Sequence, residues 1–317
     1  MLDFIIQALQ GVFTIIFIVG LGYALSKKGW FDNHSSILIS RLVTTVSLPL
    51  YMITSLTKNF TAERLYQLAP DMLLPVGSMV LAMIMGKLAA RILKIRRGRR
   101  GVFCTNFFIA NTMFIGLPVN LALFGDDSIP SVMLYYMVNT IFFWTFGVQN
   151  IVADTENSKS SLFSKDVIKK LLSPPLMGFL AALLFIVLKI KLPGFIMNSF
   201  QYVGNLTTPL SLIFIGIEIS KISLRDFNFE RDIIFGLFGR FIVCPLCVLA
   251  LVPFIHVTDI SVKVFTMQAA MPAMTQMAIV AKNYGADSRF AAALSFITIL
   301  FGLAVIPFYM TVVNLWF

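Results

Sequence analysis

Apolar residues run along this chain in long stretches separated by short polar connections, without the strip of polar positions that marks a helix on the surface of a soluble protein. Ten such stretches are readable, near 4–26, 37–57, 70–92, 102–124, 130–152, 174–190, 196–220, 232–255, 262–283 and 288–314. A helix needs roughly 20 apolar residues to cross the hydrocarbon of a bilayer, so each stretch predicts a membrane-spanning helix. Little chain remains for a separate soluble domain. The first stretch opens Leu2-Asp3-Phe4, with no basic lead-in and no small-residue cleavage site, and reads as a retained helix rather than a signal peptide.

Composition agrees with this pattern. The chain is 58% hydrophobic and 13% charged, whereas a soluble domain is about half apolar and a quarter charged. The expected fold class is an all-α membrane protein with ten transmembrane helices. A net charge of +10 would suit a nucleic-acid partner, but its placement argues for topology, because cytoplasmic connections collect Lys and Arg. The third connection holds Arg91, Lys94, Arg96, Arg97, Arg99 and Arg100, and the fifth Lys159, Lys165, Lys169 and Lys170. The first, seventh and ninth hold Lys27 and Lys28, then Lys221, Arg225 and Arg231, then Lys282 and Arg289. Even-numbered connections hold only Lys58, Arg64, Lys189, Lys191 and Lys263. Odd connections are thus expected in the cytoplasm, with both termini outside the cytoplasm of a multi-pass cell-membrane protein. Membrane lipids are partners and nucleic acid is not. The cluster at 91–100 suits anionic lipid as well, although topology alone accounts for it.

The most hydrophilic connection, 153–173, divides the chain into residues 1–152 and 174–317, with five spans in each. A shift of 160 residues lays Ser47-Leu48-Pro49-Leu50 over Thr207-Thr208-Pro209-Leu210, and Gly125-Asp126-Asp127-Ser128 over Gly285-Ala286-Asp287-Ser288. An odd number of spans per half turns the second half upside down, which predicts a 5+5 inverted repeat of the kind found in secondary transporters. Under the same shift Asn111-Thr112 lies over Met271-Pro272. Span four carries Asn111, Thr112, Gly116, Pro118 and Asn120 in its middle, and its mate, span nine, carries Met271, Pro272, Thr275 and Gln276. Proline removes a donor and crowds the preceding turn, so both spans are expected to break near their centres. A break survives in hydrocarbon only where protein or a water-filled cavity covers the freed backbone groups. Two such breaks meeting near the midplane would aim the positive ends of half-helices at one spot, a place for an anion.

Other residues carry weaker signals. Thr44, Thr45, Ser47, Asn205, Thr207 and Thr208 precede Pro49 and Pro209, where hydroxyls can pair carbonyls freed by proline or contact substrate. Glu218 near the end of span seven is a candidate for proton coupling or for an ion pair with Lys221 or Arg225. Arg240 within span eight is a candidate either for balancing an anionic substrate or for binding carbonyls. Cys244-Pro-Leu-Cys247 has no second Cys pair or His beside it, so Cys104, Cys244 and Cys247 read as buried structural thiols. His34 and His256 sit in or beside connections, and no catalytic triad or metal-ligand cluster falls on facing spans. Catalysis is not expected, and neither is a cofactor.

At these motifs the sequence resembles the auxin efflux carrier family. Asn111-Thr-Met-Phe-Ile-Gly116-Leu-Pro118, Gly204-Asn205-Leu-Thr-Thr-Pro209 with Gly216, and Met271-Pro272 followed by Ala281-Lys-Asn-Tyr284-Gly285-Ala-Asp287 carry the resemblance across essentially the whole chain. It is greatest to the short prokaryotic members that resemble malate or malonate permeases, since the long central loop of the plant relatives is absent. The resemblance implies a ten-helix fold like that of bile-acid symporters and sodium–proton antiporters. Helices 1, 2, 6 and 7 would form a scaffold, helices 3–5 and 8–10 a transport domain, and helices four and nine would cross within it. It further implies that Asn111 contacts a substrate carboxylate and that the scaffold forms a homodimer. The expected activity is elevator-type transport of a small organic anion, a dicarboxylate such as malate. Its binding residues would be Asn111, Thr112, Gly116, Met271, Pro272, Thr275 and Gln276, with Ser47, Asn205, Thr207 and Thr208 on the scaffold side. The alternatives are a carrier of an auxin-like monocarboxylate and a transporter-like sensor that binds without flux.

Overall fold

The computed structural model describes residues 2–155, 174–221 and 230–316. Most of the expected linker, with Lys159, Lys165, Lys169 and Lys170, lies outside the described residues, as does Arg225.

In chain order the helices are α1 (Leu2–Lys27), α2 (Asn33–Leu42), α3 (Leu48–Asn59), α4 (Ala62–Leu68), α5 (Leu73–Ile92), α6 (Arg100–Asn106), α7 (Leu117–Phe124), α8 (Ile129–Phe142) and α9 (Val148–Ala153). They continue as α10 (Pro174–Val187), α11 (Gly194–Gly204), α12 (Thr207–Ser220), α13 (Arg231–Phe238), α14 (Cys244–Leu251), α15 (Asp259–Ala269), α16 (Gln276–Tyr284) and α17 (Ser288–Trp316). The apolar runs are helical apart from gaps within 102–124 and 262–283, and among the described residues the extended pairing amounts to one isolated bridge. Among the described residues, six continuous helical stretches are long and apolar enough to cross a membrane: His34–Asn59, Ala62–Ile92, Thr112–Ala153, Gly194–Ser220, Arg231–Phe254 and Ser288–Val313. Large apolar side chains such as Phe17, Leu38, Ile92 and Phe308 point outward, as they do where the surroundings are acyl chains.

Local signals set the ends. Asp32 caps α2 by accepting from the Ser35 N–H at 2.7 Å, with the Ser35 side chain reaching back to complete a capping box. Gly125 and Gly285 close α7 and α16 with φ of +64° and +78°, a region where a side chain would be strained. Proline is handled in a recurring way. Wide π-helical turns at Val43–Ser47, Thr112–Gly116 and Gly239–Val243 each end two residues before Pro49, Pro118 or Pro245. The looser turn takes up the missing donor and the ring clash, and the proline then sits in the first turn of the next helix, where no N–H is needed. Thr44 and Thr45 donate their hydroxyls to the Ser40 and Arg41 carbonyls at 2.9 and 2.6 Å. Pro118 therefore does not break its span, contrary to the expectation from sequence. The interruption lies earlier, between the end of α6 at Asn106 and the turn that begins at Thr112.

The chain divides into two compact units. The first comprises Met1–Pro70, Met113–Met133 and Leu172–Ile222. Inside it α1 lies directly on α12: a Cβ at Gly216 would sit 2.1 Å from the Val19 carbonyl oxygen, and one at Gly22 would sit 2.4 Å from that of Ile213. Small residues of this kind let helix backbones approach where lipid supplies no hydrophobic drive. Asp126 accepts from Tyr51 and Asn59, both at 3.0 Å, and Asp127 pairs with Arg64 at 3.2 Å.

The second unit comprises Asp71–Thr112, Leu134–Leu171 and Ser223–Phe317. At one end Arg99 gathers three carboxylates. Its Nε reaches Asp287 at 2.7 Å, its Nη1 pairs with Glu230, and Asp232 lies 3.8 Å away. Arg96 also pairs with Asp287, whose other oxygen accepts the Phe290 N–H at 2.9 Å and so caps α17. Partial burial alone would raise the Asp287 pKa, but the Phe290 N–H and the two guanidiniums hold that carboxyl below the usual range. The hydrogen bond from Arg99 does the same for Glu230.

Gly216→Ala should lower the melting temperature of the purified protein, by about 1–3 kcal/mol in stability, because α1 must retreat from α12. The acid cluster gives a second expectation. A carboxyl whose pKa falls on folding stabilises the fold above its unfolded pKa, and the contribution vanishes as pH drops through the folded value. Melting temperatures measured across the acid range should therefore decline below about pH 4, and Asp287→Asn should be less stable at neutral pH with a shallower acid decline.

Candidate functional site

The two interrupted helices meet within the second unit. After α6 ends, Phe107–Asn111 runs without helix, and after α15 ends at Ala269 the chain is non-helical until Gln276. The two gaps run antiparallel and touch main chain to main chain. The Asn111 N–H donates to the Pro272 carbonyl at 2.8 Å, and Ala110 and Ala273 form the isolated antiparallel bridge. Side chains fasten the rest. Asn139 pairs with both groups of Ala110, accepting its N–H at 2.9 Å and donating to its carbonyl at 3.1 Å. Thr298 accepts the Ala273 N–H at 3.0 Å, and Gln268 donates to the Thr112 carbonyl at 3.3 Å. A Cβ at Gly302 would fall 2.6 Å from the Pro272 ring, so the absence of a side chain there lets the proline seat.

Arg240 sits at the centre of this arrangement, with 0% of its surface exposed. Its Nη1 donates to the Asn106 and Ile109 carbonyls at 2.9 and 2.6 Å, and its Nη2 donates to the Ala269 carbonyl at 2.6 Å. Asn106 and Ala269 are the last residues of α6 and α15. Each helix C-terminus carries roughly half a negative charge, so two of them balance one guanidinium. The Cys244 thiol donates to the Phe107 carbonyl, and the Tyr309 hydroxyl donates to the Phe241 carbonyl at 2.6 Å. All three cysteines are free and buried. Four polar atoms on residues of this centre are buried without a hydrogen-bond partner among the described residues: Asn106 Oδ1, Gln268 Oε1, Thr266 Oγ1 and Arg240 Nε.

The sequence-derived candidates fall into two groups. Asn111, Thr112, Met271 and Pro272 are buried at the crossing, Thr275 is half-buried and Gln276 is exposed at the start of α16. Gly116 is buried in the first unit, where its carbonyl accepts from Asn120 at 2.7 Å. Ser47 and Thr207, also in the first unit, share a buried hydrogen bond of 2.8 Å. Thr208 is half-buried, and the exposed Asn205 accepts from Gln201 at 2.7 Å. Glu218 accepts from Ser36 and forms an ion pair with Lys221 at 2.6 Å. Asn139, Thr298 and Gln268 were not singled out from the sequence. Their only signal there is a polar side chain in an otherwise apolar run.

Crossed, interrupted helices in a chain of apolar spans define a multi-pass membrane protein with a built polar centre. Residues 7–310 match the family described as membrane transport protein, and the chain belongs to that family, the one its motifs resembled. It is 24% identical to an uncharacterised transporter of Methanocaldococcus jannaschii over 93% of this chain and 95% of that one. It is 23% identical to an uncharacterised transporter of Methanothermobacter thermautotrophicus over 96% and 97% of the two chains.

Arg240→Met should cost about 3 kcal/mol or more, since it leaves three buried carbonyls without donors. The measurement is thermal unfolding and monodispersity in detergent. Arg240→Lys should recover only part of the loss, because an ammonium lacks the planar fork that reaches both helix ends.

Proposed function

We propose that this protein carries a small organic anion, most simply a dicarboxylate such as malate, across the cell membrane by an elevator-type mechanism. The observation that carries this reading is the use of Arg240. A crossing of two broken helices brings together two negative C-terminal ends and two positive N-terminal ends. The guanidinium neutralises the negative ends through Asn106, Ile109 and Ala269. The turns beginning at Thr112 and Gln276 keep their positive character, which favours an anion over a cation as cargo. In this reading Asn111, Thr112, Thr275 and Gln276 supply hydrogen bonds to a carboxylate, and Met271 and Pro272 shape the wall.

Several observations support the ten-helix inverted repeat that the reading assumes. Ser47 and Thr207 are 160 residues apart and in direct contact, as equivalent residues would be beside a two-fold axis. The positive-φ glycines at 125 and 285 recur at the same period. The first unit contains the segments expected of helices 1, 2, 6 and 7, together with Met113–Met133, and the second contains most of helices 3–5 and 8–10. We assign the scaffold to the first unit and the anion-carrying role to the second, with both termini outside the cytoplasm as the charge distribution argues. The Glu218–Lys221 pair supports an anchoring role for Glu218 rather than proton coupling, which fits transport by uniport or exchange.

Counterflow of labelled malate in proteoliposomes tests the reading. Uptake into malate-loaded vesicles is expected, and Asn111→Ala should reduce its rate by an order of magnitude while leaving the melting temperature near that of the parent. Binding of malate without any flux would favour a sensor and overturn the transport reading. Glu218→Gln should leave the dependence of uptake on an imposed pH gradient unchanged.

A further inference from the structure

The second unit holds another feature that transport does not use: a cavity of about 270 Å³ lined by Lys87, Arg91, Arg100, Cys104, Asn150 and Asp154 among others. Three cations face one carboxylate. That carboxylate is already engaged, with Asp154 Oδ2 accepting the Gly101 N–H at 3.1 Å. The neighbouring Arg96 and Arg99 are satisfied by Asp287 and Glu230. Lys87, Arg91 and Arg100 form no ion pair among the described residues. Lys87 and Arg91 are four residues apart on α5, and their mutual repulsion would be relieved by an anion bound between them. The Asn150 Nδ2 is enclosed and lacks an acceptor among the described residues. Close packing shapes one wall: a Cβ at Gly101 would sit 2.2 Å from the Asn150 carbonyl oxygen.

Alongside the basic pair, α5 exposes Ile84, Leu88 and Ile92. With 3.6 residues per turn these form a stripe adjacent to Lys87 and Arg91. A charged head in the cavity and an acyl chain along the stripe would both be matched.

We propose that this cavity binds a phosphate group, contributed by the headgroup of an anionic phospholipid whose acyl chain lies on Ile84, Leu88 and Ile92. Lys87, Arg91 and Arg100 supply charge-assisted bonds to the phosphate oxygens and Asn150 a neutral one. The site is separate from the proposed cargo site: it shares α6 with the helix crossing, but none of its lining residues makes the crossing's contacts.

The test uses the purified full-length chain. Native mass spectrometry measures retention of phosphatidylglycerol against phosphatidylcholine, and melting temperature is followed with each lipid and with inorganic phosphate in phosphatidylcholine micelles. The parent should retain phosphatidylglycerol preferentially and melt higher with it, and the triple variant Lys87→Gln, Arg91→Gln, Arg100→Gln should lose at least tenfold in affinity. Arg97→Gln, in the connection between α5 and α6 but not lining the cavity, should bind as the parent does. A melting shift with phosphatidylglycerol alone identifies the lipid headgroup as the source, whereas an equal shift with inorganic phosphate identifies a soluble phosphate at the same site. If the triple variant fails to fold, the single variants are read instead, and each should weaken binding severalfold. Undiminished binding in the cationic variants, an equal loss in Arg97→Gln, or no response to either phosphate source overturns the proposal.

Discussion

A guanidinium shut away from solvent holds the point at which two helices stop and start again. Stopping a helix leaves its last carbonyls without partners, and in hydrocarbon each such group costs several kcal/mol. Arg240 spans the gap because its donors are fixed in a plane and point two ways, toward Asn106 and Ile109 on one side and Ala269 on the other. The arrangement is mutual. An unpaired cation at this depth would be as costly as the bare carbonyls, so neither the interruption nor the charge is stable without the other. Asn139 and Thr298 extend the same logic to the main chain of Ala110 and Ala273.

Much of this was legible in the sequence, and the gaps have physical causes. Run length and composition were enough to place the helical segments, because hydrocarbon leaves few other ways to satisfy a backbone. The interruption at Pro272 could be read directly. That before Thr112 could be placed only approximately, because the residues that leave the helix are Phe107, Phe108, Ile109, Ala110 and Asn111, most of which favour apolar helix. What unwinds them lies far along the chain: Arg240, Asn139 and the Pro272 carbonyl. Pro118 misleads for the complementary reason, since a π-helical turn absorbs its effect. The basic residues at 91–100 look alike in sequence and differ in space. Arg96 and Arg99 are bound to carboxylates, while Arg91 and Arg100 face a cavity.

The contact between Ser47 and Thr207 is informative beyond its own small energy. Two hydroxyls 160 residues apart meet in a fully buried place, where each satisfies the other and no third partner is required. The inverted repeat proposed above would place such a pairing where its two copies face each other, and would account for the glycine turns after both α7 and α16.

The Ala110–Ala273 bridge also bears on how such a protein diversifies. The joint is closed by peptide groups together with Arg240, Asn139 and Thr298, and none of these bonds uses the side chain of Thr275 or Gln276 beside it. Those two positions, half-buried and exposed, can be replaced without breaking the crossing's hydrogen bonds. On the proposed reading, stability and choice of cargo then fall to different residues of one framework.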